Sequence, residues 1–274
     1  MEKGSPIGVF DSGFGGLTVL KEIVHQLPQY DYLYLGDNAR APYGNRSFET
    51  VYHYTLQCVN WFFQQGCSLV ILACNTSSAK ALRTIQQNDL PKIAPHKRVL
   101  GVIRPTAEII GNFSDTKSVG ILATNGTVAS ESYPMEIAKF FPDLKVFQEA
   151  CPMWVPLVEN REFDNPGADY FIEKNIEQLL TQSNKIDTLL LACTHYPLLI
   201  NSLRKFVPPT TAIIAQGDIV ADSLADYLHR HPAIENNCLK SGQLQFYTTD
   251  NTTDFDEKGA FFYGEPIQSK YVAL

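Results

Sequence analysis

Apolar residues along this chain come in two patterns: short unbroken runs, and longer stretches in which they recur every three or four positions. The first predicts strands buried on both faces and the second amphipathic helices. From the N-terminus, IGVF predicts a strand, DSGFGG a tight loop and LTVLKEIVHQL a helix. YDYLYLG predicts a second strand, DNARAPYGNRS a shaped loop carrying Pro42 and Gly44, and FETVYHYTLQCVNWFFQQG a long helix ending at Gly66. SLVILAC and SSAKALRTIQQN supply a third strand and a third helix. Such alternation predicts a parallel sheet whose crossover helices cover both faces.

The pattern then restarts. RVLGVI predicts a strand, TAEIIGNF a helix, and SVGILATNGTVAS repeats the run of IGVFDSGFGG, an apolar strand giving way to small polar residues. The strand LKVFQEA, a loop over CPMWVPLVENREFDNPG, the helix ADYFIEKNIEQLLTQS and the strand DTLLLACTHYP follow. The spacing from Val9 to Cys74 is close to that from Ile121 to Cys193, as two related lobes require. The tail carries TAIIAQGD, the helix VADSLADYLHRH, a hairpin or edge strand within NNCLKSGQLQFYTTDNTTDFD, and a strand-like GAFFYG that would complete the first lobe. The expected fold class is α/β: two pseudo-symmetric three-layer α/β domains with mainly parallel sheets facing across a cleft.

Composition narrows the function classes. The 274 residues are 45% hydrophobic, enough for one large or two modest cores. No run approaches the roughly 18 apolar residues of a membrane span, and MEKGSPIGVF lacks a signal-peptide pattern. A cytoplasmic location and no membrane partner are therefore expected. A formal charge of -7 without a Lys/Arg-rich block argues against nucleic acid as the main partner. The six cysteines form no CxxC pair or Cys/His cluster, so neither a disulfide framework nor a metal site is expected.

Two of those cysteines repeat a context. ILACNT ends one predicted strand at Cys74 and LLACTH ends another at Cys193, each followed by hydroxyl, amide or imidazole groups ahead of a helix or a Pro turn. Ligands sit at the carboxyl ends of parallel strands. The free N–H groups of a helix start favour an anion and lower a thiol pKa. Facing lobes would bring the two sulfurs to opposite sides of one cleft. Taking a proton from one face of a carbon and returning it to the other needs such a pair, one thiolate as base and one thiol as acid. Burial as ordinary strand residues is the alternative, and it is the reading for Cys58, Cys67, Cys151 and Cys238.

Other polar residues surround the pair. Asp11, with Ser12 beside it, caps the DSGFGG turn or orients a substrate ammonium and assists proton transfer, and the loop glycines let backbone N–H groups approach a carboxylate or phosphate. The run is neither a GxGxxG fingerprint nor a Walker A loop. Asn75 with Thr76, and Thr194 with His195, form two donor clusters suited to a carboxylate or an amino group, or to helix capping. His195 also suits proton transfer. Asn125 and Thr127 occupy the second lobe's counterpart of the DSG loop. Tyr43 and Gly44 read as a structured turn, Glu159 as a carboxylate after an apolar run, and Tyr34, Trp61 and Phe62 as core.

Together, IGVFDSGFGGLTVL, YLGDNARAPYG, ILACNTSSA, ILATNGTV and LLACTHYPLL, spread from Ile7 to Leu199, resemble the glutamate racemases. The resemblance implies a cytoplasmic, cofactor-independent isomerase that interconverts L- and D-glutamate for peptidoglycan synthesis. It implies that Cys74 takes the proton from D-glutamate and Cys193 from L-glutamate, helped by Asp11 and His195. Substrate contacts would come from Asp11, Ser12, Tyr43, Gly44, Asn75, Thr76, Thr127, Thr194 and His195, and Glu159, ending a PLVE run, matches a carboxylate near the site. It further implies a discontinuous first domain of residues 1–98 plus 210–274 around a second of residues 99–209, and it is compatible with a homodimer. VIRPTA departs from the family at Arg104, where relatives carry an acidic or small residue.

Rival readings make different demands. An aspartate racemase would use the same two-thiol logic on a diacid one methylene shorter, a difference worth roughly 1–3 kcal/mol. A non-catalytic carboxylate-binding protein would hold the thiols as core. A pyridoxal phosphate racemase needs a Schiff-base lysine, and Lys80 and Lys97 stand in no recognisable context for one. A cysteine hydrolase needs one nucleophile and an oriented base, which two repeated sulfurs do not supply.

Overall fold

The structure, a computed structural model, describes residues 4–274. Its strands are β1 (Ile7–Asp11), β2 (Tyr32–Gly36), β3 (Leu69–Leu72), β4 (Arg98–Gly101), β5 (Ser118–Ala123), β6 (Lys145–Ala150), β7 (Thr188–Ala192), β8 (Ala212–Ile214), β9 (Leu244–Thr248) and β10 (Ser269–Tyr271). They build a sheet of order β10-β9-β2-β1-β3-β4 and another of order β6-β5-β7-β8. Every pairing between these strands is parallel. The inner order β2-β1-β3-β4 is the same as β6-β5-β7-β8, so the duplication read from the apolar runs is a duplication of topology. Strands β3 and β7, which lead to Cys74 and Cys193, are equivalent.

Helices form where the spacing predicts them. The helix Phe48–Gln64 starts at Ser47, whose Oγ accepts the Thr50 N–H at 3.1 Å, and buries Val51, Thr55, Cys58, Val59 and Phe62 along one face. The helix Gly16–Gln26 likewise buries Leu17, Leu20 and Ile23. Strands β1, β3 and β7 are buried along their whole length, as their unbroken apolar runs require. One apolar cluster joins Ile7 and Leu17 of the first lobe to Leu122, Trp154 and Leu189 of the second, so the lobes share a core. Tyr34, Trp61 and Phe62 are core residues, as expected. Among the described residues, no helix is long and apolar enough to cross a membrane.

Several expectations need correction. RVLGVI does not open the second lobe: β4 pairs with β3 at the edge of the first sheet. The strand of TAIIAQGD pairs with β7 in the second sheet. Divisions at 98/99 and 209/210 would therefore cut β4 and β8 from the strands that hold their hydrogen bonds. The segment read as a loop, CPMWVPLVENREFDNPG, contains the helix Trp154–Glu159. Strand β9 is an interior parallel strand between β2 and β10, neither hairpin nor edge. GAFFYG is the end of the helix Thr252–Tyr263, closed by Gly264 at φ 90°. The helix Ser132–Phe140 lies in a stretch to which the apolar pattern assigned nothing.

Candidate active site

The carboxyl ends of the inner strands converge. β1 ends at Asp11, β3 leads to Cys74, β5 to Thr124 and β7 to Cys193. One cavity is lined by Cys74 and Cys193 together with Ser12, Tyr43, Gly44, Asn75, Thr76, Thr194, His195 and Glu159. Cys74 is the N-cap of the helix Asn75–Lys80, its sulfur accepting the Ser77 N–H at 3.4 Å, and its thiol donates to Ser12 Oγ at 3.5 Å. Cys193 Sγ lies 3.9 Å from His195 Nδ1, and His195 Nε2 lies 3.0 Å from Glu159 Oε1. A sulfur, an imidazole and a carboxylate thus stand in line on the Cys193 side.

Charge is unequal on the two sides. Burial, and then the negative charge of Asp11, push the Cys74 thiol up to about 11 against the hydrogen bonds of Ser12 and Ser77. This corrects the expectation that a helix start would lower it: one backbone N–H at the end of a short helix does not offset desolvation. His195 goes the other way to a buried imidazole's usual course. Burial lowers its pKa, but the hydrogen bonds and negative charge of Cys193 and Glu159 together raise it to about 10, which favours the protonated ring. Asp11 is fully buried and its carboxyl is raised by desolvation, in part countered by His195 and the backbone of Gly13 and Gly16.

The predicted ligands divide into those in the cavity wall and those behind it. Asp11 is behind: its Oδ2 accepts the Gly13 N–H at 2.9 Å and its Oδ1 accepts Thr194 Oγ1–H at 3.4 Å. Thr127 is also behind, reached through Thr124, whose Oγ1 lies 3.2 Å from Thr127 Oγ1 and 3.0 Å from Thr76 Oγ1. Tyr43 lines the cavity, and its hydroxyl donates to Asp37 Oδ2. Thr124 and Cys151 line the cavity and were not singled out from the sequence. Thr124 lay inside the repeated motif TNGTVAS, and the strand-end rule that selected Cys74 and Cys193 selects it too. Cys151 carried no signal beyond its residue type.

Gly15 of DSGFGG serves contact between the lobes. A β-carbon at Gly15 would stand 2.2 Å from Thr194 Oγ1 and 2.4 Å from His195 Nδ1. Only glycine lets this turn lie flat against Thr194 and His195 of the second lobe. Thr18 Oγ1–H donates to the Thr194 carbonyl at 2.9 Å from the same loop's helix. Among the described residues, no group of three or more His, Cys, Asp or Glu side chains is arranged to hold a metal ion.

Fold and site together define a class: a duplicated parallel α/β protein with one thiol from each half at a shared cavity. The family model for Asp/Glu/Hydantoin racemase matches residues 7–222, and the chain belongs to that family. It is 36% identical to the glutamate racemase of Sulfurihydrogenibium sp. over 98% of this chain and 97% of that protein. Among solved structures, glutamate racemase isoform RacE1 of Bacillus anthracis superposes with a TM-score of 0.89 at 33% identity, covering 100% of this chain and 99% of that one. Glutamate racemase of Francisella tularensis in complex with D-glutamate gives a TM-score of 0.87 at 29% identity, over 99% of this chain and 98% of that one.

Proposed function

We propose that this chain interconverts L- and D-glutamate in the cytoplasm with its own two thiols and no cofactor, supplying D-glutamate for peptidoglycan synthesis. The observation that carries the reading is the pair Cys74 and Cys193, brought by equivalent strands to one cavity. In the L-to-D direction, Cys193 as thiolate removes the α-hydrogen and Cys74 gives its proton to the opposite face. One C–H and one S–H bond break, and one of each forms. A Cys74 thiol raised to about 11 is protonated at neutral pH, as the acid must be. The His195 imidazolium, 3.9 Å from Cys193 Sγ, balances the charge on that sulfur when it is ionised.

Turnover exchanges the protonation of the two sulfurs, and the D-to-L direction runs the same steps backward. His195 beside Cys193 is the group through which that sulfur's proton is reset, and Asp11 acts on Cys74 from behind the wall through its charge. Ser12, Asn75, Thr76 and Thr194 line the cavity as donors for the substrate carboxylates. Tyr43 and Gly44 close it from the loop side, and Thr127 braces Thr76 through Thr124.

The test is proton NMR of L-glutamate and, in parallel, L-aspartate, with reduced protein in deuterated water, while circular dichroism follows optical activity. Deuterium at Cα with loss of optical activity is expected for glutamate. Exchange of aspartate alone would move the substrate to the shorter diacid, and no exchange of either acid by folded protein would remove the racemase reading.

A further inference from the structure

A closed ring of three hydrogen bonds lies directly behind Asn75. Asn75 Nδ2–H donates to Gln216 Oε1 at 2.8 Å, Gln216 Nε2–H donates to Tyr133 Oη at 2.7 Å, and Tyr133 Oη–H donates to Asn75 Oδ1 at 2.5 Å. All three residues are buried. Such a ring is self-consistent in either direction of donation, so something outside it must set its polarity. Gln216 Nε2 also lies 2.8 Å from Thr106 Oγ1 and 3.3 Å from the Val102 carbonyl, to which Thr106 Oγ1–H donates at 3.0 Å. A carbonyl only accepts. Turning the Gln216 amide over would set its oxygen against the Val102 oxygen and leave Thr106 to choose between them, so the backbone at Val102 fixes which end of Gln216 faces Tyr133.

The fixed polarity passes around the ring to the cavity. With Tyr133 donating to Asn75 Oδ1, the Asn75 amide cannot rotate by half a turn, and one of its two Nδ2 hydrogens is left for an acceptor in the cavity that Asn75 lines. We propose that Tyr133 and Gln216 are positioning residues that hold Asn75 as a one-way donor for a substrate carboxylate. The ring's anchors give the device a second property. Val102 directly follows β4, where the chain leaves the first sheet, and Gln216 follows β8, where it leaves the second. The ring therefore ties the substrate donor to both connections between the lobes.

This inference rests on the function proposed above, and the experiment separates the two. Wild-type kinetics with L- and D-glutamate come first, and absence of turnover there removes the function, not the ring. With turnover established, Tyr133→Phe deletes one hydroxyl at constant shape and Gln216→Leu removes both amide roles. Each is expected to raise KM about five- to tenfold in both directions, the worth of one hydrogen bond, with kcat nearly unchanged. In an Asn75→Ala background, adding Tyr133→Phe is expected to change KM no further, because its effect passes through Asn75. An unchanged KM in Tyr133→Phe, or an undiminished effect in the Asn75→Ala background, overturns the proposal. A purely structural role would lower Tm without producing that non-additivity, and Tyr133→Phe alone carries the test where Gln216→Leu does not fold.

Discussion

His195 is enclosed between a thiol and a carboxylate, and those two neighbours rather than its burial decide its charge. The consequence extends to stability. A group whose pKa rises on folding, here from 6.5 to about 10, stabilises the native state fully below pH 6.5 and loses that contribution as pH climbs through 10. Cys74, raised from 9.0 to about 11, acts in the same direction over the next interval. Thermal unfolding followed from pH 6 to pH 10 is expected to show Tm falling. In Glu159→Gln, which leaves the imidazolium without its carboxylate, the fall should be shallower, and an equal slope would show that Glu159 does not hold the proton. Catalysis gives a sharper test of the sulfurs. Cys74→Ala or Cys193→Ala should abolish racemisation in both directions, since each direction uses one thiol as base and the other as acid, and full turnover in either variant would sink the two-base reading.

Among the elements, the short helix Asn125–Ala129 is linked to the site through its N-cap. Its N-cap is Thr124, whose Oγ1 accepts the Thr127 N–H at 3.3 Å while touching the Thr76 hydroxyl at 3.0 Å. Thr124→Val keeps the shape and removes the oxygen. It is expected to cost about 1 kcal/mol in chemical denaturation, the usual worth of an N-cap, and to raise KM. A stability loss with unchanged KM would confine Thr124 to capping. The same element shows what was legible in the sequence. Strands and their carboxyl ends were, because an unbroken apolar run fixes both the strand and where it stops, and this placed Asp11, Cys74 and Cys193. Thr127 stood in the counterpart of the DSG loop, whereas the end of β5 points to Thr124. The helix Trp154–Glu159 was hidden by Pro152 ahead of it and Pro156 within it, yet Pro156 sits in the first turn, where the missing N–H is not needed. In NTTDFD the N-cap Asn251, which accepts the Asp254 N–H at 3.0 Å, announced a helix that the aromatic pair of GAFFYG disguised as a strand. No periodicity could reveal which sheet claims β4 or β8, since edge pairing depends on how the lobes stack.

At the scale of the whole molecule, the cavity exists only while the two lobes stay in register, and few groups set that register at its mouth. The Gly126 N–H donates to the Gly44 carbonyl at 2.8 Å, and Asn125 Nδ2–H donates to Asn45 Oδ1 at 2.9 Å beside it. Lys80 braces the same loop from within the first lobe, donating to the Arg46 carbonyl at 2.6 Å, whereas the Arg83–Glu136 ion pair that does cross between the lobes is exposed on its arginine side and contributes little. Close approach at Gly126 is the critical feature. A β-carbon there would lie 2.8 Å from the end of the Lys80 side chain and 2.9 Å from the Gly44 oxygen. The lysine can swing aside, but the Gly44 carbonyl belongs to the loop that closes the cavity and can yield only by moving that loop. Gly126→Ala is therefore expected to behave as an overpacked contact of about 1–3 kcal/mol, lowering Tm by roughly 2–8 °C. It should also raise KM for both enantiomers, because the loop carrying Tyr43 and Gly44 is displaced from the substrate. Calorimetry and steady-state kinetics on the same preparation decide it: a lower Tm with unchanged KM would mean that Lys80 alone absorbs the methyl group and that the register of the lobes is set elsewhere.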